Sequence, residues 1–418
     1  MSNGVRGNSD VVVLGAGVVG LACAWAVKRE GITVTIIDRD FEGDRASHGN
    51  AGGIGVTEST PITMPNPLKL VQMLTDPLGP LGLRPAHFVK SFPWFWSLML
   101  ASRPHRVHAS AKALASLNMR VYDDLLPMLD DIGAGRWLYQ RGALVVFESE
   151  TSYRAALSEW KLRADLGVEF EPLDGSEIKE LEPSLAPVFP RGLFLPDWSH
   201  VADPKRIVEA LRSKVTEMGV TLVQGDVAHV TPHGPRNVSV ALTDGRSLNA
   251  SRVVVAMGAW SARIAKRLGD KVLLESERGY NTTVDAGDVS LSREVIFSER
   301  SFVATPLDIG IRIGGGAEFA GLSAAPNYKR CDALLTLGQR FIPGLGDKNA
   351  RRWMGHRPST PDGLPVIGPS ASHDAIVYSF GHGHLGLTQA ATTGKLVAGI
   401  LGGAAPGVPL EPFSVKRF

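Results

Sequence analysis

Val11-Val-Val-Leu-Gly15-Ala-Gly17-Val-Val-Gly20 is followed closely by Thr33-Val-Thr-Ile-Ile37 and then Asp38. Val11–Leu14 is a short apolar, β-branched run that suits a buried strand. Leu21 to Glu30 has helical composition, and Gly31 is a stop signal after it. Thr33–Ile37 is a second strand with Asp38 at its end. This order predicts a compact strand–turn–helix–strand unit of the dinucleotide-binding kind. Gly15 allows the tight turn, Gly17 lets a pyrophosphate approach the backbone, and Gly20 lets helix and strand pack closely. The helix N-terminus, where Val18 and Val19 stand, points free N–H groups and partial positive charge at the phosphates. Asp38 can accept from ribose hydroxyls, and an acid there disfavours a 2′-phosphate; Arg39 follows it.

The glycine spacing alone decides little. With 46 Gly in 418 residues, three fixed glycines recur by chance roughly 0.5 times in such a chain. A second match does occur, Gly381-His-Gly383-His-Leu-Gly386. The first match has a strand before it, a helix after it and an acid closing the next strand. The second follows a strand but has no ribose acid beyond it. It suits a helix N-terminus aimed at another electron-rich group.

Composition narrows the function class. Forty-four Lys+Arg against 42 Asp+Glu give a formal net charge of +2, which argues against nucleic acid as a partner. Two cysteines, Cys23 and Cys331, exclude a disulfide scaffold and a Cys-rich zinc site. No metal site is expected: His382 and His384 are two apart and lack a third ligand. No GxSxG and no GxxxxGK[ST] occurs, so hydrolase and P-loop chemistry are disfavoured. The start, Met1–Asp10, lacks an apolar signal core. Ala375–Gly394 is uncharged but too polar to span a membrane. Ser91–Ser102 (SFPWFWSLMLAS) reads as a buried helix, with membrane contact as the alternative.

Along the chain, Thr60–Phe92 reads as irregular loops and short helices, and His105–Asp131 as one long helix that Pro127 kinks or ends. Gly142–Phe147 is a strand, and Ser149–Asp165 a helix. Pro204–Met218 is an amphipathic helix with Asp203 as N-cap. Val220–Val223, Val238–Leu242 and Arg252–Ala256 are strands, Val295–Gly316 a hairpin region, and Asp332–Phe341 a helix. Ala375–Phe380 is a strand, and Leu385–Leu401 a helix.

Five motifs in this order resemble the flavin-dependent amino acid oxidase/dehydrogenase family, with bacterial D-amino acid dehydrogenases the nearest likeness. They are VVVLGAGVVG, SHGNAGG (Ser47–Gly53), RGYN (Arg278–Asn281), RPSTPDGLPVIGP (Arg357–Pro369) and GHGHLGLTQA (Gly381–Ala390). The resemblance implies FAD, with Gly15, Gly17 and Gly20 at the pyrophosphate and Asp38 at the ribose. It implies that Ser47, His48, Asn50, Ala51, Gly52 and Gly53 run along the flavin ring. It places Val227 at the adenine, Ala256 and Gly258 near the pyrophosphate, and Gly383, His384, Leu385, Gly386 and Thr388 at the pyrimidine edge. Arg357 matches the arginine that holds the substrate carboxylate, flanked by Gly355 and Pro358 in what reads as a turn. Tyr280 matches a pocket position, with a core tyrosine as the alternative. His48 has a substrate-side or an ordinary loop role. Trp353–Pro358, where some relatives attach the flavin through cysteine, has none, so non-covalent FAD is expected. Leu385 replaces an aromatic residue carried by some oxidases.

The fold class expected is α/β and α+β: a discontinuous Rossmann-like FAD domain (9–60, 200–275 and 350–418) and an interleaved mixed-sheet substrate domain (61–199 and 276–349). The expected activity is oxidative deamination of a D-amino acid, cyclic ones such as D-proline or 4-hydroxy-D-proline included. Sarcosine-like or opine secondary amines, an NAD-dependent dehydrogenase and a non-catalytic nucleotide-binding subunit are the alternatives. The expected partners are a small amino acid and a quinone or electron-transfer acceptor, oxygen being the alternative. The expected location is the cytoplasm, free or at the inner face of the membrane. Oligomeric state is not legible.

Overall fold

Side chains alternate along a strand, so Val11 and Val13 of the first strand (Ser9–Leu14) face one layer and Val12 and Leu14 the other. All four are buried, which explains why the run is apolar without alternation. The computed structural model describes residues 9–65, 70, 73, 76 and 78–418. Most of the polar start, and part of Thr60–Phe92, lie outside the described residues.

The first sheet has eight strands. Ser9–Leu14 pairs in parallel with Val34–Asp38 on one side and with Ser247–Val255 on the other. Thr221–Gln224 adds in parallel beyond Val34–Asp38, and Ile376–Phe380 beside Ser247–Val255. The first half of Ser247–Val255 instead pairs antiparallel with Asn237–Leu242, which pairs with Val227–Gly234. The helix Val18–Arg29 is buried along most of its length. It packs on the helix Gly386–Gly402 so closely that a Cβ on Gly394 would lie 2.5 Å from the Ala22 carbonyl oxygen.

The second sheet has nine strands. Glu275–Val284 lies between Gly310–Phe319 and Arg351–Ser359, antiparallel to both. Phe302–Leu307, Glu294–Phe297, Ala143–Phe147, Arg191–Leu195 and Glu171–Asp174 continue it. Glu294–Phe297 runs parallel to Ala143–Phe147, so the sheet is mixed. Its strand Arg351–Ser359 falls beyond the boundary drawn at 350, because nine residues pair with Glu275–Thr283. A Rossmann-like sheet and a mixed substrate-side sheet therefore interleave along the chain.

Three expectations need correction. His105–Asp131 is two helices, Pro104–Asn118 and Val121–Asp131. The break falls at Met119–Arg120 and not at Pro127, which sits within the second helix. Arg357 stands in a strand, not a turn. Ser91–Ser102 is helical, within Pro85–Ala101, but not buried: Ser91, Trp94 and Leu98 alone on this helix are buried. Among the described residues, no helix is long and apolar enough to cross a membrane.

Candidate active site

One cavity of about 1460 Å³ runs from the glycine turn of the first sheet to the glycine-rich face of the second. Gly15 has φ of +104°, and a Cβ there would lie 2.4 Å from the Ala256 carbonyl oxygen. A Cβ on Gly20 would lie 2.0 Å from the Gly15 carbonyl oxygen. The turn is therefore closed to any side chain at both positions. Gly17 is the N-cap of the first helix and supplies no capping side chain. Ser47 Oγ accepts from the Val18 N–H at 3.0 Å, placing a hydroxyl at the positive helix end. Asp38 accepts from the Ala16 N–H at 2.6 Å and the Asp40 N–H at 3.0 Å, and Arg45 stands 3.6 Å from it. Arg39 lies over the Trp260 ring at 4.2 Å.

The Ser47–Gly53 loop is fixed from both sides. Asn50 Nδ2 donates to the Ser47 carbonyl, and Asn50 Oδ1 accepts from the Gly52 N–H. From the second sheet, Asn281 Nδ2 donates to the Gly49 carbonyl and Arg312 Nη1 to the Asn50 carbonyl, each at 2.6 Å. Burial pulls Arg312 down to about 10, so it stays cationic at neutral pH. Opposite, the helix Gly386–Gly402 begins without a capping side chain. Its Thr388 Oγ1 accepts from the Gly55 N–H at 3.0 Å. Gly383 N–H donates to the Pro358 carbonyl at 2.9 Å. The end of the Arg357 strand and the Gly381–Gly386 loop are thus tied together.

Arg357 is 27% exposed. Its Nη1 donates to Glu277 Oε1 at 2.9 Å and to the Gly316 carbonyl at 2.8 Å. Ser359 Oγ donates to the other oxygen of Glu277. Among the described residues nothing accepts from Nε or Nη2, so that edge can grip a carboxylate through two parallel bonds. The guanidinium lies against Gly279, where a Cβ would come 2.4 Å from Nη2.

Of the expected site residues, Gly15, Gly17, Val18, Val19, Asp38, Arg39, Ser47, Asn50, Ala51, Gly52, Gly53, Val227, Ala256, Gly258, Tyr280, Arg357, Gly383, His384, Leu385, Gly386 and Thr388 line this cavity. Gly20 lies behind the wall, serving packing. His48 is placed elsewhere: it is buried beside a small separate pocket with Arg45, Phe41 and Arg212. Burial first, then the Arg45 charge, brings it down to about 4. Tyr280 reaches the cavity wall from a fully buried position in the core of the second sheet, the core alternative, and its hydroxyl donates to Glu318 at 2.6 Å and accepts from the Asn327 N–H. His384 opens into the cavity; enclosure by its walls holds the imidazole below the usual histidine range, with Glu58 and Glu277 acting the other way. His382 is buried and engaged with Thr393 Oγ1 at 3.0 Å. Glu277 and Gly279 escaped the sequence reading, although Gly279 lies inside the quoted RGYN motif. Glu294 also lines the cavity, and burial pushes its carboxyl up to about 8.

A dinucleotide fits these residues: the side-chain-free turn, two helix starts whose N-cap residues supply no side chain, and the acid Asp38 lie along one continuous cavity. Neither cysteine lines it. The model of the DAO family, described as FAD dependent oxidoreductase, matches residues 10–400. A D-amino-acid oxidase of Bradyrhizobium diazoefficiens is 34% identical over 416 residues, 98% of each chain. A D-amino acid dehydrogenase of Vibrio atlanticus is 31% identical over 421 residues, covering 98% of this chain and all of that one. The crystal structure of glycine oxidase from Geobacillus kaustophilus superposes with a TM-score of 0.76 at 21% identity, covering 98% of this chain and 99% of that one. The NAD alternative gives way to these matches. From residue 10 to residue 400 the chain belongs to the DAO family of FAD-dependent oxidoreductases.

Proposed function

We propose that this enzyme oxidises D-amino acids at the Cα–N bond, primary amines to imino acids that hydrolyse with loss of ammonia and cyclic amines of the D-proline type to cyclic imines, and passes the electrons to a quinone. One observation carries the reading. The unused Nε–Nη2 edge of Arg357 opens into the same cavity as the dinucleotide cradle. The two relatives above 30% identity carry names that support amino acids as substrates. When bound, the isoalloxazine ring accepts a hydride at N5.

The chain's own residues do the rest. Arg357 binds the substrate carboxylate and fixes the direction of the Cα–H bond. Glu277 and the Gly316 carbonyl hold the guanidinium still, so little ordering remains for the substrate to cost. Trp94 and Phe319 line the substrate half and exclude water. A dry wall favours an amine that has already lost its proton, so no side-chain base is required. The Asn281 and Arg312 bonds hold the Ser47–Gly53 loop against the second sheet.

Anaerobic mixing with a panel of D- and L-amino acids, sarcosine and opines tests this. Rapid bleaching of the yellow enzyme is expected with D-amino acids first, and reoxidation is expected to be faster with a soluble quinone than with oxygen. Bleaching by N-methylglycine alone would reassign the substrate. No bleaching by any member would favour a nucleotide-binding subunit.

A further inference from the structure

The helix Pro85–Ala101 turns its apolar side outward. Successive residues rotate by about 100° around a helix, so Phe88, Met99, Phe92, Trp96 and Val89 fall within one arc of about 100°. All five are exposed, Val89 at 79% and Trp96 at 53%. Phe88 meets Phe92 edge-on and Phe92 stacks on Trp96, so the arc is a continuous ridge. The opposite arc, Ser91, Trp94 and Leu98, is buried. Trp94 is anchored by its Nε1–H to the Ser359 carbonyl.

The stretch of chain that carries the ridge has charge of one sign. Between Asp76 and Asp123 the chain has no acid, although it has 42 Asp+Glu in all. Lys90, Arg103, Arg106 and Lys112 are exposed in this interval. Among the described residues, no salt bridge or side-chain hydrogen bond engages any of these four. The acids the helix does reach lie on its packed side. Glu275, bonded to His87, is 14% exposed, and Glu318, paired with Arg84, is 6% exposed. An aromatic ridge on a stretch of chain that carries exposed cations and no acid complements an anionic bilayer surface, where rings enter the acyl boundary and cations meet phosphates.

We infer that this helix docks the enzyme on the surface of an anionic membrane, lying in the plane of the interface. Phe88, Phe92, Trp96 and Met99 also line the FAD cavity. Docking therefore turns that end of the cavity toward the acyl chains, from which an apolar electron acceptor can enter. The inference goes beyond the amine-oxidation reading and stands or falls separately from it.

Holoenzyme is co-sedimented with vesicles of mixed phosphatidylglycerol and phosphatidylcholine, and with phosphatidylcholine vesicles alone. Binding to the anionic vesicles is expected to be at least about tenfold stronger and to weaken with salt. The double variant Val89→Glu, Lys90→Glu is expected to lose at least about tenfold of that binding. Neither residue lines the cavity, so bound flavin and dye-coupled amine oxidation stay unchanged. Equal sedimentation with both vesicle types, or undiminished binding by the double variant, overturns the inference. So does a wild-type dimer that the double variant converts to monomer, which would give the ridge to a second copy of this chain. The dye-coupled assay needs no lipid, so its failure counts against the substrate reading alone.

Discussion

Arg357 has two hydrogen bonds on one nitrogen and an unused edge, and this asymmetry suits it to the carboxylate anchor proposed for it. Each charge-assisted bond contributes about 1.5–3 kcal/mol. Arg357→Ala is therefore expected to raise the apparent KM at least ~100-fold while leaving the visible flavin absorbance intact; an unchanged KM would remove Arg357 from the site. Gly279→Ala sets a finer test. Its Cβ would displace the guanidinium without deleting it, so KM rises and flavin content does not change. Normal kinetics in that variant would show that the arginine relocates freely. At this scale the sequence was informative where a motif named the residue, as with Arg357. It was silent on partners: nothing in the spelling of RGYN says that the Tyr280 hydroxyl is bonded to Glu318, or that Glu277 braces Arg357. Such pairings join strands 38 and 80 residues apart, and only the register of the sheet brings them together.

The opening turn and its flanking strand and helix were legible as elements because their physics is local. A β-branched run, glycines at fixed offsets and a closing acid all act within thirty residues. The turn yields a prediction at the same scale. Gly15→Ala puts a methyl group against the Ala256 carbonyl at positive φ, a strain of order 1–3 kcal/mol. That variant is expected to purify largely colourless, with a lowered Tm that added FAD does not restore; a fully yellow Gly15→Ala enzyme would refute the cradle. Other elements resisted reading. Glu275–Val284 (ESERGYNTTV) is buried along nearly all its length, yet it carries charges whose partners lie on neighbouring strands, so it lacks an apolar signature. The helix Pro85–Ala101 misled in the opposite direction. Its composition announces a core that the fold does not provide, because its outward arc is as apolar as the arc that packs.

Across the whole molecule, buried ionisable groups set the pH response. Burial is the first cause that holds His48, His200 and His356 at about 4 and His382 at about 3. Unfolded, they titrate near 6.5, so the unfolded chain binds more protons in that window and stability falls as pH drops from about 6.5 toward 4. Glu294 acts with the opposite sign. Its folded value of about 8 lies above the ordinary 4.5, so the stability associated with its proton is complete below about 4.5 and is lost as pH rises through about 8. Tm is expected to peak near neutrality, and Glu294→Gln should flatten the decline between about 6.5 and 8 and steepen the rise below it, where Glu294 opposes the histidines. An unaltered alkaline limb in a Tm scan across this range would show that Glu294 does not titrate there. Interleaving of the two sheets was expected from the family likeness, whereas the place of the Arg351–Ser359 strand was not, since pairing partners are set by topology and not by local composition.

That strand is tied to the Gly381–Gly386 loop, the Gly383 N–H being bonded to the Pro358 carbonyl and Ser359 bridged to His382. With Arg357 and this loop in the roles proposed for them, an acid that settles on Arg357 pulls on a tether whose far end borders the chromophore. The protein's colour should therefore register guests that never react: titration with an inert aromatic carboxylate ought to shift and sharpen the yellow band, turning the pigment itself into a gauge of occupancy.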